Sequence, residues 1–459
     1  MSESMHPHRA PGRKVLRRRS LWIPSALILG LLSFVLSLLY MGANNNPTGY
    51  THDLPIALVN ADEGVNAGGK QINLGDQITA KIAQSPDLKG KVAWKQVSRS
   101  EAEELLGKDK AYGALVIPEN FSASVAALAV PQQQDPKRPT LQVLTNPASG
   151  SFGSSMASEI NRQVAHTTST ELGKQLSQQA KLQAAHAAKA EQSGHAKPKA
   201  AHAAKAEQPS TAERLLIADP ITVTVQEGHE IGTHSGLGLS AFFYTLVLVL
   251  GGMLGANVIH TQLDAMLGYA ASDYGPFRRV KPAEHISRTR HFAIGCGLMA
   301  GLSLVTSALA LVAAVGIVGI DASHLALLWI YGACATTAMG ITALALLAVF
   351  GMPGQLVSML VLVGFAIPSA GATIPLEALP DFYRFLAEFE PFRQVVDGVR
   401  SILYFGAQAD AGLGRGWTMI AVGFVVALLF GFGMTRFYDR RGLHRSPIKV
   451  LEPQSAPTV

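Results

Sequence analysis

The chain has 459 residues, of which 48% are hydrophobic and only 15% are Asp, Glu, Lys or Arg. A typical soluble domain contains about a quarter charged residues, so this composition excludes an ordinary soluble protein and predicts membrane-spanning segments. The net charge of +6 does not indicate nucleic-acid binding, because many basic residues flank apolar runs and no aromatic residues are interleaved with them.

The first 41 residues predict a cytoplasmic tail followed by a membrane-spanning helix. Residues 1–20 are basic, and residues 21–41 include a run from Leu21 to Tyr40 without charge. About 20 apolar residues suffice to cross a bilayer core roughly 30 Å thick. A cleaved signal peptide ending near Ala43 is the alternative interpretation, although its apolar region would be shorter.

Residues 42–236 predict an extracytoplasmic α/β domain. Apolar runs predict its strands, and Ser98 or Ser100 is a candidate cap for a helix that contains Glu101. The alternation of strands and helices favours a sheet that is at least partly parallel. Strands are predicted at 55–59, 92–97, 114–117, 141–144 and 221–225, and helices at 75–84 and 100–106.

A helical stretch rich in Gln, Ala and Ser follows at about 150–218 and contains a low-complexity insertion near 180–210. The sequence AAHAAKAEQ occurs there twice, beginning at Ala184 and again at Ala200. Two copies are too few for a repeat fold, so we expect a solvated helical or disordered insertion. Three histidines of this region lack Cys or carboxylate partners at ligand spacing, which argues against a metal site: His186, His195 and His202.

Two sequence motifs in the predicted domain are weak evidence for a function. Gly64 to Gln71 resembles a phosphate-binding loop, but Gln71 replaces the Ser or Thr that holds magnesium, so we interpret the segment as a Gly-rich turn. Asn120 begins a glycosylation-like triplet, a pattern with a high chance rate. No catalytic set or metal cluster follows from residue spacing. We therefore expect no enzyme activity, no cofactor and no metal.

Residues 237–436 predict a domain of five further spans. The fold class is then a polytopic α-helical membrane protein with six spans and an α/β extracytoplasmic domain between spans one and two. Basic segments at both termini, including the tail 437–459, indicate a plasma-membrane protein with cytoplasmic N- and C-termini. The uncharged runs lie at about 241–260, 292–319, 325–350, 355–375 and 417–434.

Pairs of glycines four residues apart indicate close helix packing. Gly251 and Gly255 form one pair, and Gly297 and Gly301 form another. Small residues let helix backbones approach closely in lipid. We interpret both pairs as packing positions within the bundle, with a dimer face as the alternative.

Two segments between spans are candidate functional regions. Residues 376–405 read as two amphipathic helices that form a structural cap or an outer gate. Residues 261–290 combine apolar and basic side chains and are the best candidate for a partner contact, with a mere positive-inside anchor as the alternative. The candidate gate residues are Phe382, Phe385, Phe389 and Phe392, and the candidate contact residues are Leu263, Met266, Leu267, Arg278 and Arg279.

The soluble region resembles the YhgE/Pip family of bacterial membrane proteins, which is related to the permeases of type-2 ABC exporters. The resemblance rests on Leu54-Pro55-Ile56-Ala57-Leu58-Val59-Asn60, Asp62-Glu63-Gly64, Asn73-Leu74-Gly75-Asp76, Trp94, Ser100-Glu101-Ala102-Glu103 and Tyr112 to Ser122. It implies a permease subunit that forms a homodimer or heterodimer and uses a separate cytoplasmic ATPase.

The leading functional hypothesis is therefore export of an unidentified, hydrophobic substrate by an ABC-type permease. The alternative is a membrane-anchored receptor or secretion-accessory scaffold whose outer domain binds a protein or a phage. Gradient-driven transport is disfavoured, because the spans carry no Asp, Glu, Lys or Arg near their centres.

Overall fold

The computed structural model describes residues 19–44, 46–67, 70–128, 138–192, 219–232, 234–274, 276–279, 281–282, 284–371, 374–443 and 445. Its first part is a long helix followed by a five-stranded sheet with helices around it. The elements in chain order are α1 Arg19–Asn44, α2 Pro47–Tyr50, β1 Leu54–Asn60, β2 Val65–Ala67, β3 Lys70–Ile72, α3 Leu74–Ala83, β4 Val92–Val97, α4 Arg99–Gly107, β5 Gly113–Ile117, α5 Phe121–Leu128, β6 Thr140–Thr145, α6 Ser151–Gln192 and β7 Thr222–Glu227.

The main sheet has the strand order β4-β1-β5-β6-β7. β1 pairs in parallel with both β4 and β5, β6 pairs antiparallel with β5, and β7 pairs in parallel with β6. The prediction of a partly parallel sheet is therefore confirmed. β5 is buried along its whole length, as expected of a central strand covered by helices on both faces.

Each face of the sheet has its own apolar core. Leu58, Leu115 and Val143 pack on one side against α3, α5 and α6. On the other side, Ala57 and Val116 pack against α4. The domain is therefore a three-layer α/β structure with the helices on both faces.

Local sequence signals account for two of its smaller elements. Ser98 caps α4 through a reciprocal capping box, because its hydroxyl accepts from the Glu101 amide while Glu101 accepts from the Ser98 amide. The segment that resembles a phosphate-binding loop forms the antiparallel pair β2–β3 instead of opening a helix. Gly64 precedes this pair with φ of 76°, a conformation that favours glycine. Gly68 and Gly69, which connect the two strands, lie outside the described residues.

The rest of the chain is a helical bundle. Its elements are α7 Leu239–Met266, β8 Ser272–Tyr274, β9 Phe277–Arg279, α8 Arg288–Leu311 with a π-helical continuation Val312–Ile317, α9 Leu325–Phe350, α10 Met352–Met359 with a π-helical continuation Leu360–Gly364, α11 Ala366–Ser369, α12 Asp381–Phe389, α13 Pro391–Tyr404 and α14 Leu413–Arg440.

Five helical segments of the described chain are long and apolar enough to cross a membrane: Leu239–Met266, Arg288–Ile317, Leu325–Phe350, Met352–Ser369 and Leu413–Arg440. They overlap the five runs predicted for residues 237–436, and they are typical of a membrane-embedded protein. The remaining predicted span lies in α1, a helix of 26 residues. Its described apolar part, Gly30–Ala43, is shorter than a full span.

The bundle is closely packed around α9. An ideal Cβ added to Gly252 of α7 would lie 2.8 Å from the Thr336 carbonyl oxygen of α9, so only glycine permits this approach. Gly251 and Gly255 face α8, where added Cβ atoms would lie 3.2 Å from Thr306 and 3.5 Å from Met299. The prediction that this glycine pair packs within the bundle is confirmed.

The sheet domain lies at one end of the bundle. Tyr112 at the start of β5 donates to Glu377 (3.1 Å), and His229 after β7 contacts the Tyr404 carbonyl oxygen of α13 (2.7 Å). At the opposite end, Asp439 of α14 accepts from the amides of Arg288 and Thr289, which begin α8. α7 runs from the sheet domain to this opposite end, so the two ends of the bundle are distinct.

The predicted insertion is described only in part. α6 packs on the sheet through Ala157, Val164 and Ala165 and continues through the first copy of the duplicated sequence. The second copy, together with His195 and His202, lies outside the described residues. The predicted helical character is therefore confirmed up to Gln192.

Candidate functional site

The junction between the sheet domain and helix α13 contains a polar cavity of about 140 Å³. The loop before β5 supplies Asp109 and Tyr112 from one side, whereas Glu377, Asp397 and Arg400 approach from the other. Arg400 is 4% exposed and lies 3.8 Å from Asp397. This junction cavity concentrates ionisable groups where the two halves of the protein meet.

Burial alters the protonation of groups in the junction cavity. Removal from water raises the pKa of Asp109 to about 6, against the opposing attraction of Arg400. Tyr112 also has a raised pKa, because its hydroxyl is buried and donates to Glu377. Asp109 adopts φ of 57°, a left-handed conformation that is more common for Asp than for most residues other than glycine.

Glu390 lies beside the junction cavity at the bend between α12 and α13. Its side chain caps α13 by accepting from the Arg393 amide at 3.0 Å. The residue is only 4% exposed, and its Oε1 atom has no hydrogen-bond partner among the described residues. Burial therefore raises the pKa of Glu390 to about 7, despite its hydrogen bonds with the amides of α13 and the attraction of Arg393.

The structure separates the four predicted gate residues. Phe382, Phe385 and Phe389 are 57%, 64% and 61% exposed on α12. Phe392 is instead 1% exposed and packs edge-to-face on Phe242 of α7, with ring centroids 5.6 Å apart. The two predicted amphipathic helices are confirmed, but the four phenylalanines do not form one cluster. The chain bends at Pro391, so Phe392 enters the core while the other three remain at the surface.

The predicted partner-contact residues lie at the opposite end of the bundle. Met266 is 61% exposed, and Leu267 is 9% exposed. Leu263 is half-buried, and Arg279 is exposed on β9. Arg278 is also in β9. The exposed side chains of this segment include Met266 and Arg279, together with Phe277, which is 73% exposed.

A cluster of ionisable side chains at this opposite end was not anticipated from the sequence. His291 of α8 contacts Asp264 of α7 at 2.8 Å, and His260 lies 3.6 Å from the same carboxylate. Arg445 makes a bidentate contact with Asp264. The four-residue spacing of His260 and Asp264 was the available signal, because residues i and i+4 share a helix face.

The segments that carry the family resemblance meet around a buried carboxylate in the sheet domain. Asp62 accepts from the Gly75 amide (3.0 Å), the Ser122 amide (2.9 Å) and the Ser122 hydroxyl (2.5 Å). Asn73 donates to the Asp62 carbonyl oxygen at 2.8 Å. These residues hold the loop after β1 to the beginnings of α3 and α5, so they stabilise the domain's fold.

Fold and site together define a membrane-embedded helical protein that carries a mixed α/β domain at one end of its bundle. Residues 25–428 match the family described as "Protein of unknown function (DUF3533)", and the chain belongs to this family. Neither a curated protein nor a solved structure matches the chain.

Proposed function

We propose that this protein is an ABC exporter-like permease subunit that moves a hydrophobic substrate across the plasma membrane with a separate cytoplasmic ATPase. The distribution of charge carries the proposal. In the five described spans, every Asp, Glu, Lys and Arg lies within four residues of a helix end. An ion-coupled transporter needs ionisable groups near the middle of the membrane, so the energy for transport comes from another chain.

The orientation follows from the charges at the two ends of the bundle. The end opposite the sheet domain carries more basic residues, among them Arg288, Arg290, Arg436, Arg440 and Arg441. The end beside the sheet domain carries Arg384, Arg393, Arg400 and Arg415 among the acidic residues Glu377, Asp381, Glu388 and Asp410. The positive-inside rule places the basic end in the cytoplasm. The sheet domain is then extracytoplasmic, and both termini are cytoplasmic.

This orientation requires α1 to cross the membrane as a sixth span. Leu27, Leu31 and Phe34 of α1 are 67%, 65% and 62% exposed, and lipid would cover them. The other side of the helix is held to the bundle, since Tyr383 of α12 donates to the Leu38 carbonyl oxygen at 2.9 Å. A reporter attached at the exposed residue Lys89 should be labelled from outside intact cells. Labelling only after lysis would overturn the orientation.

The functional unit in this proposal is a dimer. The bundle interior of one chain is filled by a continuous apolar core, so the substrate path would lie between two chains. Gly297 and Gly301 of α8 do not pack within the bundle as predicted, since no atom of the described residues lies within 4 Å of an added Cβ at either position. They offer a surface on which a second helix can approach closely. Gly297→Leu should reduce dimer cross-linking in the membrane, whereas Gly433→Leu, another open position, should not.

The ATPase would dock on the cytoplasmic surface formed by Met266, Phe277 and Arg279. The test is co-purification with candidate ATPases, followed by ATP hydrolysis assays in liposomes. The permease should stimulate hydrolysis, and Met266→Asp should reduce the stimulation. Lys89→Glu in the sheet domain is the matched control and should have no effect. Failure of every candidate ATPase to bind or respond would refute the proposal.

The second candidate function is that of a receptor or scaffold, and the exposed end of α6 supports it. The described side chains of α6 beyond Gln178 are exposed. This part of the helix therefore extends beyond the sheet, and each residue adds about 1.5 Å to its length. Such a protruding helix is accessible to a protein or a phage. Replacement of residues 178–218 by a short Gly-Ser linker should then abolish phage adsorption or protein binding and leave efflux of hydrophobic dyes unchanged. Unchanged binding in the linker variant would exclude this function.

A further inference from the structure

The cluster at the cytoplasmic end of the bundle has the chemistry of a metal site. His260 and Asp264 lie one turn apart on α7, and His291 lies in the first turn of α8. Their ligand atoms, two imidazole nitrogens and a carboxylate oxygen, all lie within 4.8 Å of one another. Two histidines and one carboxylate form the protein ligand set of several zinc centres.

The distances in the cluster suit a small cation. The Nε2 atom of His291 is 2.8 Å from Oδ1 of Asp264, and that of His260 is 3.6 Å from Oδ2. Two ligands about 2.0–2.1 Å from a tetrahedral zinc ion lie roughly 3.3 Å apart, a value between these two distances.

The site is sheltered by the packing of α7 against α8. His291 is 5% exposed and Asp264 is 9% exposed, while the side chain of His260 is 17% exposed. The two imidazole rings lie 5.4 Å apart at 80°. Because two packed helices hold the three side chains together, a cation can bind without ordering a flexible loop.

Arg445 neutralises the Asp264 carboxylate, but His291 cannot form a hydrogen bond with both Asp264 and Arg445 through the same nitrogen. One of its guanidinium nitrogens binds Asp264 and also lies 3.1 Å from Nε2 of His291. Arginine can only donate hydrogen bonds. If Nε2 of His291 carries a proton, it donates to Asp264 but faces an N–H group of Arg445 that also needs an acceptor. If Nε2 carries no proton, it accepts from Arg445 but faces the Asp264 carboxylate, which has no proton to donate. A metal ion resolves this conflict, because it accepts electron pairs from the imidazole and the carboxylate together.

We propose that His260, Asp264 and His291 form a binding site for a first-row divalent cation such as Zn²⁺, and that Arg445 closes this site as a competing cation. The imidazole and carboxylate donors favour transition metals over Mg²⁺ or Ca²⁺. The three side chains leave one coordination position open for water. Metal binding displaces Arg445 from Asp264, so the metal and the end of the chain exclude each other.

The competition predicts an unusual response to mutation. If Arg445 occupies the carboxylate for about 90% of the time, it lowers the apparent metal affinity about tenfold. Arg445→Gln should therefore strengthen binding by about tenfold. An adventitious site elsewhere on the surface would not respond in this way, because it lies too far from Arg445 for the loss of this charge to change its affinity.

The test uses the full-length, tag-free protein in detergent micelles and follows Co²⁺ by its visible absorption, with Zn²⁺ as the displacing ion. We expect one Co²⁺ per chain, tighter binding in Arg445→Gln, and loss of the signal in His291→Ala. His285→Ala is the matched control, since His285 is an exposed histidine at the same end of the bundle, and it should bind like the unmodified protein.

His260→Asn provides a milder variant if His291→Ala does not fold, because His260 is more exposed. Gel filtration and thermal melting establish that each variant is folded. Equal affinity in Arg445→Gln and the unmodified protein would overturn the proposed competition. Unchanged Co²⁺ binding in folded His291→Ala or His260→Asn would overturn the site itself.

Discussion

Glu390 gives the sharpest test of how burial controls the charge of this protein. Its carboxyl is removed from water at the bend between α12 and α13, and burial raises its pKa from 4.5 to about 7. The unfolded chain releases this proton near pH 4.5, whereas the folded protein retains it to about pH 7. The contribution of Glu390 to stability is therefore fully present below pH 4.5 and is lost as the pH rises through 7.

The size of this loss follows from the difference between the two pKa values. Each pKa unit corresponds to about 1.4 kcal/mol, so ionisation of Glu390 costs the folded state about 3 kcal/mol by pH 8. Glu390→Gln keeps an oxygen that can accept from the Arg393 amide but cannot ionise. The variant should match the unmodified protein near pH 4.5 and exceed its stability at pH 8.

The assay is thermal unfolding of the purified protein in detergent between pH 4.5 and pH 8, followed by tryptophan fluorescence. The difference in stability between the two proteins at each pH excludes the contributions of the ionisable groups that both proteins contain. Glu388→Gln is the matched control, because Glu388 lies on the exposed face of the same helix. Equal pH profiles for Glu390→Gln and the unmodified protein would show that burial does not raise the pKa of Glu390.

Two packing predictions follow from the same structure. Phe392→Ala should destabilise the bundle by about 3–5 kcal/mol, because it leaves a cavity in the core. Phe385→Ala on the exposed face should change stability by less than about 0.5 kcal/mol. Equal thermal midpoints for the two variants would contradict the assignment of Phe392 to the core and Phe385 to the surface. Gly252→Ala should impair folding or lower the thermal midpoint, since the new Cβ would lie 2.8 Å from the Thr336 carbonyl oxygen. Gly423→Ala should be tolerated in gel filtration and thermal melting, because no atom of the described part of the chain lies within 4 Å of the new Cβ.

Much of the secondary structure of the membrane part and of the main sheet could be predicted from the amino-acid sequence. Uncharged runs predict spans because burying an unpaired charge in lipid is costly, and five of those runs correspond to apolar helices long enough to cross. The capping box at Ser98 and the turn at Gly64 were also readable, since each depends on residues close together in the chain.

The contacts between distant side chains, in contrast, depend on how the helices pack and could not be predicted from the sequence. Asp264, His291 and Arg445 come together across sequence separations of 27 and 181 residues, and this depends on how α7, α8 and the end of the chain pack. Phe389 and Phe392 share helical spacing in the sequence, yet the bend at Pro391 leaves one exposed and buries the other. Periodicity specifies the faces of one helix, whereas the environment of each face depends on the neighbouring elements that cover it.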